Sequence, residues 1–279
     1  MAVPRLLPAV CALWFFCTQC GRATAQAPDP TARAKAFAYY QQAGKLYLEG
    51  RYAAAADELA RSLRLDPQQP RATRLLGICY QLTDRPDEAE KAFLHASTLD
   101  AKDAETWFFL GRVYYVQNFF DKALSVLETA LRLDSRDARI HELLALTLEA
   151  QGDTDRALKE YGEAVRWNGM RQNRTNTPHL NYGVFLHKLN RLDESEKQLL
   201  TSRDLNRKDW QTHFELGKLY HDQTKLEAAA EELVAALKTG TAGEEDRVRV
   251  YRLLGRVYYQ MGREQDARDA MTLAETAKP

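Results

Sequence analysis

The chain has 279 residues, 45% hydrophobic and 10% aromatic, so it can bury an apolar core and does not have the composition of a disordered protein. Its 39 basic and 39 acidic residues balance, which argues against a nucleic-acid-binding protein and against one attracted to an anionic membrane surface. A chain of this length forms one or two globular domains or a single repeat array.

Residues 1–25 differ in composition from the rest of the chain. Arg5 precedes an apolar run from Leu6 to Phe16, and Ala23-Thr24-Ala25 supplies the small residues typical of a cleavage site. The apolar run is too short to cross a bilayer. The pattern predicts a secretory signal peptide at 1–25, cleaved after Ala25.

Cleavage there would export the chain to a periplasm or secrete it, with Gln26 as its first residue and no stable membrane span. Two alternatives remain for this segment. It could be an apolar helix that packs on the first repeat, or Cys20 could be lipid-modified. Gln19 before Cys20 does not resemble the small residue found there in bacterial lipoproteins, which disfavours the second alternative.

The next segment, 26–35, contains Pro28 and Pro30 and is predicted to be a linker. From residue 36 onwards, apolar residues recur at three- and four-residue intervals, which is the period of amphipathic helices. The clearest case is 104–137, where one periodic segment around Trp107 and another around Leu127 are separated by a short turn. This stretch is predicted to be a helical hairpin, and Asp134 and its neighbours are predicted to stop its second helix by bonding to their own backbone.

The hairpin returns along the chain. A small residue in its first helix recurs at Ala43, Gly77, Gly111, Ala145, Gly183, Gly217 and Gly255. By subtraction of residue numbers the interval is 34, except for two intervals of 38 that contain polar insertions. The sequence therefore predicts four hairpins in 36–171 and three in 172–279, with a hinge at the first insertion, 168–178.

This pattern resembles the tetratricopeptide repeat (TPR), which has the same period and the motif W-x2-L-G-x2-Y…A-x3-F…P. The matching residues are Trp107, Leu110, Gly111 and Tyr114 in the first half, Ala89 and Phe93 in the second, and Pro67 at the close. The resemblance implies an all-α fold, a right-handed superhelix (solenoid) of about seven hairpins. It also implies that partner segments bind in the concave groove.

No catalytic pattern is present: we find no phosphate loop, no G-x-S-x-G turn and no H-E-x-x-H helix. We therefore predict no enzyme, no cofactor and no metal site. His141, His179 and His213 occupy the slot of Trp107, so we expect packed histidines rather than ligands. Cys79, which follows Ile78 in a first helix, is expected to be a packed thiol.

On the first helices, the residues opposite the core slots are expected to line the groove. The predicted groove residues are Arg71, Arg74, Phe108, Arg112, Tyr115, Asn181, Phe214, Lys218, His221, Arg252, Arg256 and Tyr259. Basic side chains outnumber acidic ones on this face, which predicts a protein or peptide partner of acidic character. Phe108, Tyr115, Phe214 and Tyr259 are predicted to be apolar anchors. The Lys and Asn clamp that some family members use is not matched, because Asn181 is the one asparagine on this face.

These observations predict a non-enzymatic interaction scaffold in an exported compartment, which binds partner segments in a mildly basic, aromatic-lined concave groove. The alternative is an assembly or tethering subunit of a cell-envelope complex, which would need attachment to the membrane.

Overall fold

The computed structural model describes residues 29–240 and 242–276, which form fourteen α-helices and contain no β-strand. The predicted signal peptide lies outside these residues. The helices pair into seven hairpins: α1 (Pro30–Leu48) with α2 (Tyr52–Leu65), α3 (Pro70–Leu82) with α4 (Pro86–Leu99), α5 (Ala104–Val116) with α6 (Phe120–Leu133), α7 (Ala138–Gln151) with α8 (Thr154–Gly169), α9 (Thr177–Lys188) with α10 (Leu192–Leu205), α11 (Trp210–Asp222) with α12 (Leu226–Lys238), and α13 (Glu244–Gln260) with α14 (Glu264–Thr276). The predicted all-α solenoid is confirmed.

Helix α1 begins earlier than the sequence predicted, because Pro30 lies within the expected linker at 26–35. Asp29 is extended (ψ 140°) and Pro30 occupies the first helical turn, where its missing N–H is not needed. Pro30 therefore marks a helix start and does not belong to the predicted linker.

Each hairpin turns at one residue with a left-handed backbone. Positive φ angles occur at Gly50, Asp84, Asn118, Gly152, Asn190, Thr224 and Gly262. Glycine adopts this conformation freely, and asparagine and aspartate tolerate it, so six of the seven turns have a residue suited to the geometry. Thr224, with a φ of 59° and a β-branched side chain, is the exception.

The connections between hairpins also repeat. Asp134 accepts a hydrogen bond from the backbone N–H of Arg136 at 3.0 Å, as predicted from the sequence. The same turn is formed by Asp66, Asp100 and Asn206. These side chains end the second helix of a hairpin because they satisfy the backbone of the following turn.

The core runs along the array as three clusters of buried apolar residues. Tyr80 packs against both the first and the second cluster. Leu59 and Cys79 belong to the first, Leu127 and Tyr161 to the second, and Leu233 to the third. Helix α9 contributes Phe185 to the second cluster and Leu180 to the third, so apolar packing passes through it. The burial of Cys79 raises the pKa of its thiol to about 11, which fits the packed thiol expected from the sequence.

The insertion between α8 and α9 is anchored to the core. Asn168 is 2% exposed, and its side chain donates to the Thr175 carbonyl at 2.8 Å and accepts from the Thr175 N–H at 3.1 Å. These two bonds close the connection back onto the end of α8. The hinge at 168–178 and the division of the array at residue 171 stay predictions.

Candidate peptide-binding surface

The odd-numbered helices form one layer of the array. From α3 to α13, each odd helix contacts the next odd helix as well as the even helices beside it. Within the described residues, successive even helices have no contact of comparable extent. Because the inner layer of a curved stack is the more closely spaced one, the odd helices form the concave side.

All twelve predicted groove residues lie on this inner layer. Arg71 and Arg74 are on α3; Phe108, Arg112 and Tyr115 on α5; Asn181 on α9; Phe214, Lys218 and His221 on α11; and Arg252, Arg256 and Tyr259 on α13. They differ greatly in exposure and in their partners, and these differences could not be read from the sequence.

Phe108 and Phe214 are core residues rather than exposed anchors. Each side chain is only 7% exposed. The Arg139 guanidinium lies 5.1 Å from the centre of the Phe108 ring, and that of Arg249 lies 5.2 Å from the centre of the Phe214 ring. The prediction of apolar anchors at these two positions is therefore wrong, because an arginine of the following hairpin covers each ring.

Five basic side chains of the inner layer are neutralised by acids of the same layer or its rim. Arg74 pairs with Asp103 and, at 2.9 Å, with Glu105 of the next hairpin. Lys218 pairs with Glu215 at 2.6 Å. The remaining pairs are Arg139 with Asp137 at 2.5 Å, Lys188 with Glu149 at 2.6 Å, and Arg249 with Asp246 at 3.2 Å.

Arg112 is held by a different arrangement. Its guanidinium donates to Gln81 Oε1 at 2.5 Å and 3.1 Å and lies 4.9 Å from the centre of the Phe109 ring. Burial lowers the pKa of Arg112 from its usual value. Tyr115 is half-buried beside Phe120, 5.9 Å between ring centres, and burial raises the pKa of its phenol. Neither residue projects freely into the groove.

Four predicted groove arginines have no ion pair with any described residue. Arg112 is half-buried, and the other three are exposed: Arg71 on α3, and Arg252 and Arg256 on α13. Tyr259 follows Arg256 on the same helix and is 72% exposed. The exposed positive charge of the predicted groove that has no ion pair with a described residue therefore lies on α3 and α13, and on α13 it lies beside an exposed aromatic ring.

The middle of the groove contains a half-buried acid, Glu142. Asn181 donates to Glu142 Oε1 at 2.7 Å. Burial raises the pKa of Glu142 to about 7, and the hydrogen bond from Asn181 opposes this only in part. Asn181 is therefore used to satisfy a carboxyl group of the preceding hairpin and is not a free contact for a ligand.

Two histidines from neighbouring hairpins meet at one aspartate. His187 Nε2 lies 3.0 Å from Asp222 Oδ2, and His221 Nδ1 lies 3.0 Å from Asp222 Oδ1. Burial alone would raise the pKa of Asp222. The hydrogen bonds from His221 and His187 outweigh this effect and hold the pKa below its usual range. The sequence did not predict this cluster. One repeat period separates His187 from His221, which was the available signal.

The three histidines in the tryptophan slot pack within their hairpins, as predicted. His141 and His213 are 6% and 8% exposed, and their Nδ1 atoms lie 2.7 Å and 2.6 Å from Glu160 and Glu232. His179 makes the equivalent contact to Gln198 at 2.8 Å. Among the residues that the structure describes, no group of three or more His, Cys, Asp or Glu side chains is arranged to hold a metal ion.

Sequence analysis also missed a row of exposed apolar side chains. Leu48, Leu82 and Val116 are the last residues of α1, α3 and α5, and they are 85%, 43% and 67% exposed. They occupy the same position in three successive hairpins, so the repeat alignment was the signal that could have found them.

No helix in 29–240 and 242–276 is both long and apolar enough to span a membrane. A comparison with the curated proteins finds no significant match. Tetratricopeptide repeat family models match residues 46–107, 108–172 and 214–279.

Solved structures with a similar fold are repeat proteins of low sequence identity. PilW, a widely conserved type IV pilus biogenesis factor, has a TM-score of 0.64 and 16% identity, covering 72% of this chain and 90% of that chain. The APC/C hetero-tetramer Cut9–Hcn1 has a TM-score of 0.61 and 18% identity, covering 85% of this chain and 45% of that chain. YrrB, a TPR protein with an unusual peptide-binding site, has a TM-score of 0.53 and 20% identity, covering 68% and 94%.

These structures share the fold, and the family is shown by the matched sequence together with seven equivalent hairpins. TPR proteins bind protein or peptide partners and are generally non-enzymatic scaffolds for protein–protein interaction. The chain belongs to the tetratricopeptide repeat family.

Proposed function

We propose that this chain is an exported, non-enzymatic scaffold that binds an acidic partner segment on its concave surface, at the α13 end. The observation that carries the proposal is the pair of exposed arginines Arg252 and Arg256, which have no ion pair with any described residue. Of the other predicted groove cations, Arg74 and Lys218 are ion-paired and Arg112 is half-buried, which leaves Arg71 as the one further exposed arginine of that set.

An unpaired arginine suits this role because its planar guanidinium can donate two parallel hydrogen bonds to one carboxylate. Arg252, Arg256 and Tyr259 project from one side of α13, because residues three and four apart on a helix are neighbours. The exposed ring of Tyr259 adds apolar area next to the two charges, and Tyr and Arg are the residue types that dominate binding energy at protein interfaces. The partner segment is therefore acidic with an apolar residue close by.

The test is selection of a displayed random peptide library on the full chain, followed by affinity measurement of the selected peptides. We expect enrichment of Asp and Glu. The double variant Arg252→Glu/Arg256→Glu should weaken binding at least tenfold, and raising salt from about 0.05 to 0.5 M should act in the same direction because exposed charges are screened.

Arg247→Glu is the matched control. It makes the same charge change on the same helix as the single variant Arg256→Glu, which is measured beside it, but nine residues from Arg256 corresponds to half a turn of rotation, so Arg247 lies on the opposite side. If both variants weaken peptide binding equally, or if neither weakens it, the peptide does not bind at the α13 site.

Export is the second part of the proposal and is supported by the composition of residues 1–25. Mass spectrometry of the N-terminus of protein from its native cell tests it. A chain that begins at Gln26 is expected. A lipid-modified Cys20 would instead favour the membrane-tethered alternative, and an intact Met1 would contradict export by this signal.

A further inference from the structure

One contact recurs where successive hairpins of the concave layer meet. It joins the residue three positions before the small residue of one hairpin to the residue six positions before the small residue of the next. Phe108 and Phe214 occupy the first position, and an arginine guanidinium at the second lies 5.1 Å and 5.2 Å from their ring centres. In hairpin two the first position is Arg74, and the second is Glu105, which pairs with it at 2.9 Å. There, a charged residue is met by an opposite charge.

Glu142 occupies the first position in hairpin four, and it is not met by a charge. The second position, in hairpin five, is the neutral Thr177. Glu142 Oε1 accepts from Asn181 at 2.7 Å, whereas its Oε2 has no hydrogen bond and no ion pair with any described residue. Oε2 is also absent from the unpartnered polar atoms that are sealed from solvent. One carboxyl oxygen of Glu142 is therefore open to a ligand.

The surroundings of Glu142 leave its charge uncompensated. Burial raises the pKa of Glu142 to about 7, and no charged side chain of α5, α6, α8 or α9 contributes to this shift. The titratable group that faces Glu142 is the phenol of Tyr161 on α8, which stays neutral because burial raises its pKa. A half-buried carboxylate without a cation is costly, and a cation brought to it favours the ionised form.

The single open oxygen favours an ammonium group over a guanidinium. An arginine binds a carboxylate most strongly when its planar fork meets both oxygens, and Asn181 already donates to one of them. A lysine ammonium acts as a point charge and needs one oxygen. Its flexible apolar stem also carries the charge to a half-buried position at little cost.

We propose that the open carboxylate oxygen of Glu142, at the junction of hairpins four and five, binds a lysine side chain of the partner segment. The inference rests on the proposed scaffold function, but it uses α7 and is separate from the arginines of α13. It adds a specific basic residue to a partner segment that is otherwise acidic.

The experiment is selection of a displayed random peptide library at pH 8 on the full chain and on its Glu142→Gln variant. Glutamine keeps the oxygen that accepts from Asn181 but cannot ionise, so the variant removes the charge and retains the local contact. We expect lysine to be enriched about threefold or more in peptides selected on the wild type, and not in peptides selected on the variant.

Glu215→Gln is the matched control. It removes the same charge from an odd helix, but Glu215 is already paired with Lys218 at 2.6 Å and offers no open carboxylate. Lysine enrichment should persist on this variant. It should persist on Arg252→Glu/Arg256→Glu as well, where the enrichment of Asp and Glu should disappear, so failure of the α13 proposal and failure of this one are distinguishable.

Affinity measurements on one selected peptide complete the test. At pH 8 the wild type should bind the lysine peptide at least tenfold more tightly than its norleucine analogue, and Glu142→Gln should bind both equally. This preference should decline towards pH 5, because Glu142 then takes up a proton that opposes the lysine. An arginine analogue should bind more weakly than the lysine peptide.

Lysine enrichment that persists on Glu142→Gln, or a lysine preference that is the same at pH 8 and pH 5, would overturn the proposal. An arginine analogue that binds as tightly would overturn the assignment to lysine. Selected peptides that are acidic but contain no enriched lysine contradict this inference alone, whereas a selection that yields no peptide contradicts the scaffold function and this inference together.

Discussion

Gly111 and Leu127 are in direct contact: an added β carbon on Gly111 would lie 2.6 Å from Leu127 Cγ. The same approach occurs between Gly77 and Phe93 and between Gly217 and Leu233, each at 2.7 Å. At Gly255 the nearest atom is Met271 Cγ at 3.1 Å. The small residue that repeats along the sequence is therefore the place where the two helices of a hairpin touch.

Gly111→Ala should lower the free energy of unfolding by about 1–3 kcal/mol, because the Leu127 side chain must move within a packed core. Chemical denaturation measures this change. Gly162→Ala is the control, since Gly162 lies in α8 with nothing within 4 Å of the added carbon. That change should raise stability by about 0.5–1 kcal/mol through helix propensity. Equal stability of the two variants would contradict the contact.

Thr224→Asn should stabilise the chain by about 1 kcal/mol, because a β-branched residue with positive φ is strained and asparagine tolerates this conformation. Asn118 and Asn190 already occupy the equivalent turns, with φ of 62° and 58°. Thermal unfolding of the variant measures the gain. Thr272→Asn, an exposed change within α14, should give no gain, and a gain of the same size there would show that the turn is not responsible.

The contact between His213 and Glu232 should make stability depend on pH. The hydrogen bond to Glu232 raises the pKa of His213. Burial alone would raise the pKa of Glu232, but the hydrogen bonds from His213 and Arg203 outweigh it and lower the pKa. A raised histidine pKa stabilises the fold fully below its unfolded value of about 6.5, and a lowered glutamate pKa stabilises it above about 4.5. The contact between His213 and Glu232 therefore contributes most to the free energy of unfolding between about pH 4.5 and about pH 6.5.

His213→Gln should accordingly cost more stability near pH 5.5 than near pH 8, by about 1 kcal/mol. Denaturation curves of wild type and variant at both pH values measure the difference. His95→Gln, at an exposed position of α4, should show no such dependence. If His213→Gln lowers the free energy of unfolding equally at both pH values, His213 stabilises the fold through packing and not through its charge.

Glu142→Gln should stabilise the chain at pH 8 and have little effect near pH 4.5. The folded pKa of Glu142, about 7, lies above its unfolded value, so the folded state holds the proton more tightly. Stability from this group is full below about pH 4.5 and is lost as the pH rises through about 7. Glutamine keeps the oxygen that accepts from Asn181 and cannot ionise.

The expected gain at pH 8 is roughly 1–3 kcal/mol in the free energy of unfolding. Glu227→Gln, an exposed position on α12, provides the control and should be neutral at both pH values. A variant that is no more stable than wild type at pH 8 would show that Glu142 is charged without cost in the folded chain.

The sequence identified the hairpins because the information for them is local. Helical periodicity, the small residue that lets two helices approach, and the residues that form the turns all lie within one repeat. Ala145 and Tyr161 of the fourth hairpin, which the helical period places towards the core, are both buried in the same core cluster. The histidines in the tryptophan slot were placed correctly for this reason.

The candidate site was only partly predictable, because its contacts join different hairpins. Asn181 bonds to Glu142 and Lys188 to Glu149 over 39 residues of chain, and His187 bonds to Asp222 over 35. A helical wheel places these residues on the groove face but does not show which side chain of the next hairpin meets them. Internal ion pairs neutralise part of the positive charge predicted for the groove, including that of Arg74 and Lys218.

The amino-acid sequence alone determined that this protein is an all-helical array of TPR hairpins, since each repeat encodes its own amphipathic helices and turn. Only the tertiary structure decided that Phe108 and Phe214 are covered, that Arg252 and Arg256 have no ion pair among the described residues, and that Leu48, Leu82 and Val116 are exposed. These features depend on the rotation and offset between neighbouring hairpins, which fix the side chains that meet across each interface.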